Sequence, residues 1–140
     1  MNGSTAKKTV LVVDDDQSLR QMYRARLEAS GYGVIEATNG EEAMARAVED
    51  KPSCILLDVM MPRVNGFDVL DILKTTPETK KIPVIILTAL MQDEAKQRVV
   101  NSGAEACLVK AEVMPNQVVD TITAVLDKYD QTGQAPKPSA

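Results

Sequence analysis

The stretch CILLDVMMP, Cys54 to Pro62, sets three apolar residues, Ile55, Leu56 and Leu57, directly before an aspartate, Asp58. A short apolar run without polar alternation is what a strand buried on both faces requires, and such strands belong to parallel sheets covered by helices. A lone carboxylate at the end of such a strand is expensive to bury, so Asp58 must be solvated, paired or in use.

Upstream, TVLVV (Thr9–Val13) is a second run of the same kind, and it ends in three acids, Asp14, Asp15 and Asp16. DQSLRQMYRARLEASG then spaces Leu19, Met22, Tyr23 and Leu27 along one helical face, with Asp16 as N-cap and Gly31 as the stop. YGVIEA reads as a strand whose alternation suits a sheet edge. NGEEAMARAVED reads as a helix opened by Asn39 or Gly40, turning Ala43, Met44, Ala47 and Val48 inward.

Downstream of Asp58, a loop through Pro62 and Gly66 leads to the short helix FDVLDILKT. IPVIILT is a strand closed by Thr88, and DEAKQRVVNSG a helix ending at Gly103. ACLV is a strand followed by Lys110, and PNQVVDTITAVLDKYD the last helix, with Pro115 at its first position. One domain over 9–129 is expected, after a lead-in at 1–8 and before a flexible, proline-rich tail or linker at 130–140.

Five strands alternating with five helices predict an α/β fold: a doubly wound, five-stranded parallel sheet of order 2-1-3-4-5. Ligands of such sheets bind beyond the carboxyl ends of the strands, where the order switches between strands one and three. That rule gathers Asp14, Asp15, Asp58, Thr88 and Lys110 at one edge.

Composition narrows the chemistry. The chain has no histidine, which excludes His-based zinc sites, Ser-His-Asp triads and a histidine phosphodonor role. A net charge of −4 argues against a nucleic-acid surface. No apolar run approaches the roughly 20 residues of a membrane helix, and MNGSTAKK opens no signal-peptide core, so a cytoplasmic protein is expected. Cys54 and Cys107 fall on strands separated by a third, about 10 Å apart and beyond disulfide reach, so both are expected to be inert thiols.

Carboxylates that converge repel one another unless a cation intervenes, and a hard, oxygen-seeking ion, Mg²⁺, is the natural resident. Lys110 and Thr88 offer a positive charge and a hydroxyl donor suited to the oxygens of a phosphoryl group, with Asp58 as its nucleophilic acceptor.

VLVVDDD, CILLDVMMPRVNG, VIILTA and GAEACLVK, in this order, carry a resemblance: from about Lys8 to Tyr129 the chain resembles the receiver domain of bacterial two-component response regulators, chemotaxis receivers among them. The resemblance implies a flavodoxin-like (βα)5 fold and phosphoryl transfer to Asp58 from a sensor histidine kinase or a histidine phosphotransfer protein. It implies Mg²⁺ bound by Asp15, Asp58 and the Met60 carbonyl, with Asp14 acting largely through water. Thr88 and Lys110 would contact the phosphoryl oxygens, and Gly66 would let the loop turn beside the site. Such a module catalyses only its own phosphorylation and dephosphorylation. It signals by switching contacts with a downstream protein, here unidentified, through the surface of the last two helices and last strand.

Two positions depart from the family. Cys107 stands where receivers carry the Tyr or Phe whose rotation reports phosphorylation. Ala111 follows Lys110 where a cis-proline is usual; because a cis bond to a non-proline costs about 2.5–4 kcal/mol, a trans Lys110–Ala111 peptide and a reshaped loop are expected. Two other readings compete. A phosphatase of the haloacid-dehalogenase type would need a second acid two residues past the nucleophile, where Met60 stands. A pseudo-receiver, acting as an interaction module without phosphorylation, would fit Cys107 and Ala111 but not the intact acid, hydroxyl and amine set.

Overall fold

The computed structural model describes residues 8–61, 64–89, 103–110 and 113–132. At its centre lie five parallel strands, β1 Thr9–Val13, β2 Gly33–Ala37, β3 Cys54–Asp58, β4 Val84–Thr88 and β5 Ala106–Val109. Their order in the sheet is 2-1-3-4-5, as the alternation of elements predicts. Helices α1 Gln17–Ala29, α2 Gly40–Asp50, α3 Gly66–Thr75 and α4 Pro115–Thr132 cover it. A two-residue hairpin, Met60–Met61 against Val64–Asn65, lies between β3 and α3.

The central strands are apolar throughout because each side chain has a helix layer to face. Leu11, Val13, Ile55, Leu57, Val84 and Ile86 pack with α2 and α3, in one core with Ala43, Ala47, Leu70 and Leu73. The alternate residues Val10, Val12, Cys54, Leu56, Ile85 and Leu87 pack with α1 and α4, in a second core with Tyr23, Leu27, Val118 and Ile122. Each Val, Leu or Ile among them, withdrawn from water, contributes about 1.5–3 kcal/mol before the entropy of ordering it is set against the gain.

The helix ends follow their sequence signals. Asp16 caps α1 by accepting the Leu19 N–H at 3.2 Å, and Asn39 caps α2 by accepting the Glu42 N–H at 2.9 Å. Gly31 follows α1 with φ 97°, a left-handed conformation that costs glycine little. Pro115 opens α4, which runs through Thr132, past the boundary expected at 129.

One inward expectation fails: Val48 is 36% exposed. The buried stripe of α2 runs through Gly40, Ala43 and Ala47, and it leaves Val48 on the helix margin. The helix expected over DEAKQRVVNSG and the Lys110–Ala111 peptide both fall outside the described residues. No helix among the described residues is long and apolar enough to cross a membrane.

Candidate functional site

β1 and β3 are direct neighbours, paired from Val10↔Cys54 to Val13↔Leu57. The residues that follow, Asp14 and Asp58, therefore emerge side by side, and both are buried. The Asp14 N–H makes one more bond to β2, at the Ala37 carbonyl. Its Oδ1 then accepts the Asp16 N–H at 2.9 Å, turning the chain into α1. Asp15, between them, is exposed. Each of Asp14, Asp15 and Asp58 offers an oxygen within 4.8 Å of the other two.

The far half of the sheet brings the remaining groups. Thr88 ends β4 and is buried, one residue beyond Leu87, the register partner of Asp58. The Lys110 N–H donates to the Thr88 carbonyl at 2.7 Å, which anchors the lysine backbone at the mouth of the pocket. From there its Nζ reaches 3.0 Å from Asp14 Oδ2 and 3.0 Å from Asp58 Oδ2. The ammonium thus joins the acids that end β1 and β3.

Met60 lies two residues past Asp58, in the hairpin, paired with Asn65. Gly66 closes that loop by a near approach of backbones: its N–H donates to the Val59 carbonyl, and a Cβ there would stand 2.3 Å from Val59 Cα and 2.9 Å from the Asp58 carbonyl oxygen. Only glycine leaves that space.

Burial pushes the Asp14 carboxyl above its ordinary range, against the opposing pull of the Asp16 amide and Lys110. For Lys110, burial alone would favour the neutral amine; the ion pair with Asp14 and the hydrogen bond to Asp58 outweigh it and hold the ammonium above its usual value. Three carboxylates against one ammonium still leave negative charge. The buried Asp14 Oδ2 receives the ion pair but no hydrogen bond among the described residues. An all-oxygen donor set with surplus negative charge suits a hard divalent cation.

Neither cysteine is in a disulfide, as expected, but only Cys54 is buried; Cys107 is half-buried. Both are free; Cys54 packs in the α1 side of the core and Cys107 against the other, with β4 between their strands. Burial pushes the Cys54 thiol up to about 12.

Two residues near the pocket escaped the sequence reading. Arg20, buried on α1, donates Nη1 to the Asp14 carbonyl at 2.7 Å and Nε to Glu36 Oε1 on β2 at 3.0 Å. Glu36 also takes Arg24 Nη1. The signal available was the carboxylate within YGVIEA and two arginines one helical turn apart on the preceding helix.

A family model for the response regulator receiver domain matches residues 10–123. Among curated proteins, the gliding motility regulatory protein of Myxococcus xanthus is 41% identical over 117 residues; the match covers 81% of this chain and 15% of that protein. The polar-differentiation response regulator DivK of Brucella anthropi is 36% identical over 119 residues, covering 85% of this chain and 96% of DivK. The chain therefore spans a small part of one relative and nearly all of the other. Among solved structures, a CheY-like receiver domain protein from Methanospirillum hungatei superposes with a TM-score of 0.84 at 25% identity, covering 91% of this chain and 99% of that one.

Proposed function

The chain belongs to the response regulator receiver family, and from that premise we propose that it takes a phosphoryl group on Asp58 from the phosphohistidine of a sensor kinase or phosphotransfer protein. The observation that carries this reading is the position of Asp58: buried at the switch point of the sheet, 3.0 Å from Lys110 Nζ and clustered with Asp14 and Asp15.

The Asp58 carboxylate oxygen attacks phosphorus; the P–O bond forms as the P–N bond to the donor imidazole breaks, and the departing imidazole nitrogen keeps its electron pair and takes a proton. Lys110 then moves its charge from the carboxylates to a phosphoryl oxygen, and the Thr88 hydroxyl donates to another. Asp15, Asp58 and the Met60 carbonyl would hold Mg²⁺, with Asp14 acting through water; the ion, when bound, neutralises phosphoryl and carboxylate charge. The chemistry is confined to the module's own phosphorylation and dephosphorylation, in the cytoplasm. Its output is a change in contacts with a downstream protein.

Incubation with acetyl phosphate and Mg²⁺ tests the reading. The wild-type chain gains the mass of one phosphoryl group, Asp58→Asn gains none, and removing Mg²⁺ with a chelator suppresses the gain. An unmodified wild-type chain under these conditions would sink the proposal.

A further inference from the structure

Among the acids of the pocket, Asp15 is the least supported. Asp14 is held at both oxygens, by the Asp16 N–H and by Lys110, and Asp58 is buried with Lys110 against it. Asp15 is exposed, and no side-chain hydrogen bond or ion pair is recorded for it among the described residues. Its direction is set by its backbone, and above all by the peptide plane it shares with Asp14. The carbonyl of that plane is gripped by Arg20: Nη1 donates to the Asp14 oxygen at 2.7 Å, in a buried contact.

Arg20 cannot easily move. Its Nε donates to Glu36 Oε1 at 3.0 Å, and Glu36 Oε2 is pinned by Arg24, whose Nε donates to Glu28 at 3.2 Å. A guanidinium presents donors in a fixed plane, so fastening Nε to β2 fixes where Nη1 points. The Asp14–Asp15 peptide lies just past the last strand rung, the Asp14 N–H to the Ala37 carbonyl. The arginine thus extends the tie between β1 and β2 by one group, at the point where the ladder ends and the acids begin.

We propose that Arg20 is a positioning residue for the metal site, holding the Asp14–Asp15 peptide plane so that the Asp15 carboxylate faces Asp58 before any ion arrives. The inference rests on the reading of the pocket as a Mg²⁺ site. Partners that orient a ligand typically matter 10–100-fold to metal affinity. A lysine at this position supplies a point donor and cannot hold the Glu36 carboxylate and the Asp14 carbonyl in one rigid fork.

The test compares the wild-type chain with Arg20→Gln, Arg20→Lys and Arg24→Gln, titrating each with Mg²⁺ by calorimetry at a temperature where all are folded. Melting curves and ¹H–¹⁵N spectra are recorded without the ion. Arg20→Lys and Arg20→Gln should weaken Mg²⁺ binding at least about tenfold and shift the Asp15 amide signal in the ion-free protein. Arg24→Gln loosens the outer arm of the network without touching the Asp14 carbonyl, so it should weaken Mg²⁺ binding clearly less than either Arg20 variant, whatever it does to the melting temperature. If Arg20→Gln does not fold, Arg20→Lys alone decides. Mg²⁺ binding by Arg20→Lys as tight as wild type, or equal losses in Arg20→Lys and Arg24→Gln, would overturn the inference while leaving the metal site standing. A wild-type chain that binds no Mg²⁺ would remove both.

Discussion

β3 and β5 belong to one sheet and each delivers a functional group to one pocket, yet they are built differently. All five residues of β3 are buried, and Asp58 is simply the last of them. All four residues of β5 are half-buried, and Lys110 reaches inward from the turn that follows. A central strand packed on both faces fixes its carboxylate in a matrix that resists displacement. An edge strand with partial cover can shift at lower cost. The acid proposed to accept the phosphoryl group is held by the interior, and the amine proposed to contact that group sits where the structure has room to respond.

The contrast can be broken most severely at Gly66. Gly66→Ala drives a methyl into Val59 and the Asp58 carbonyl, so it should cost about 3 kcal/mol or more and abolish phosphoryl uptake by displacing the end of β3. Denaturant unfolding together with the acetyl phosphate assay would show both losses; a stable, phosphorylatable Gly66→Ala protein would mean that the end of β3 is far more pliable than its packing implies. Next, paired truncations sharpen the comparison. Leu56→Ala should destabilise by about 2–3 kcal/mol and Leu108→Ala by about 1 kcal/mol, because the first side chain is fully buried and the second only partly. Equal costs would erase the distinction between the strands. The smallest perturbation uses the native thiols. Cys54, on β3, is buried with its thiol pushed up to about 12, while Cys107, on β5, is half-buried. Burial raises the Cys107 thiol as well, so a thiol reagent at neutral pH should label Cys107 slowly in the native state and reach Cys54 only on unfolding, leaving the melting temperature of the labelled protein within a degree or two (about 0.5 kcal/mol) of the unlabelled one. Peptide mass mapping reads the outcome, and native labelling of Cys54 would contradict the packing of β3.

Cys107 also marks where this chain leaves the family pattern. A thiol in place of the expected aromatic ring cannot swing between buried and exposed positions.

Much of this molecule was legible in the sequence because the relevant signals are local. Unbroken apolar runs such as TVLVV and CILLD identify strands covered on both faces. Asp16 and Asn39 announce helix starts because their short side chains satisfy backbone N–H groups two or three residues on. The alternation of strands and helices, with the handedness rule for parallel crossovers, restricts the sheet order and so places Asp14, Asp58, Thr88 and Lys110 at one edge. Tertiary structure alone decided the rest. That Lys110 touches Asp14 and Asp58 at equal distance, that Gly66 lies against Val59, and that Arg20 grips the Asp14 carbonyl depend on side chains and backbone meeting across separate elements. Val48 looked inward by its spacing, yet how a helix lies on its sheet sets the limits of the buried stripe. Periodicity tells which residues share a face; only packing tells which atoms on that face come within hydrogen-bonding distance, because those distances are set by the whole folded chain at once.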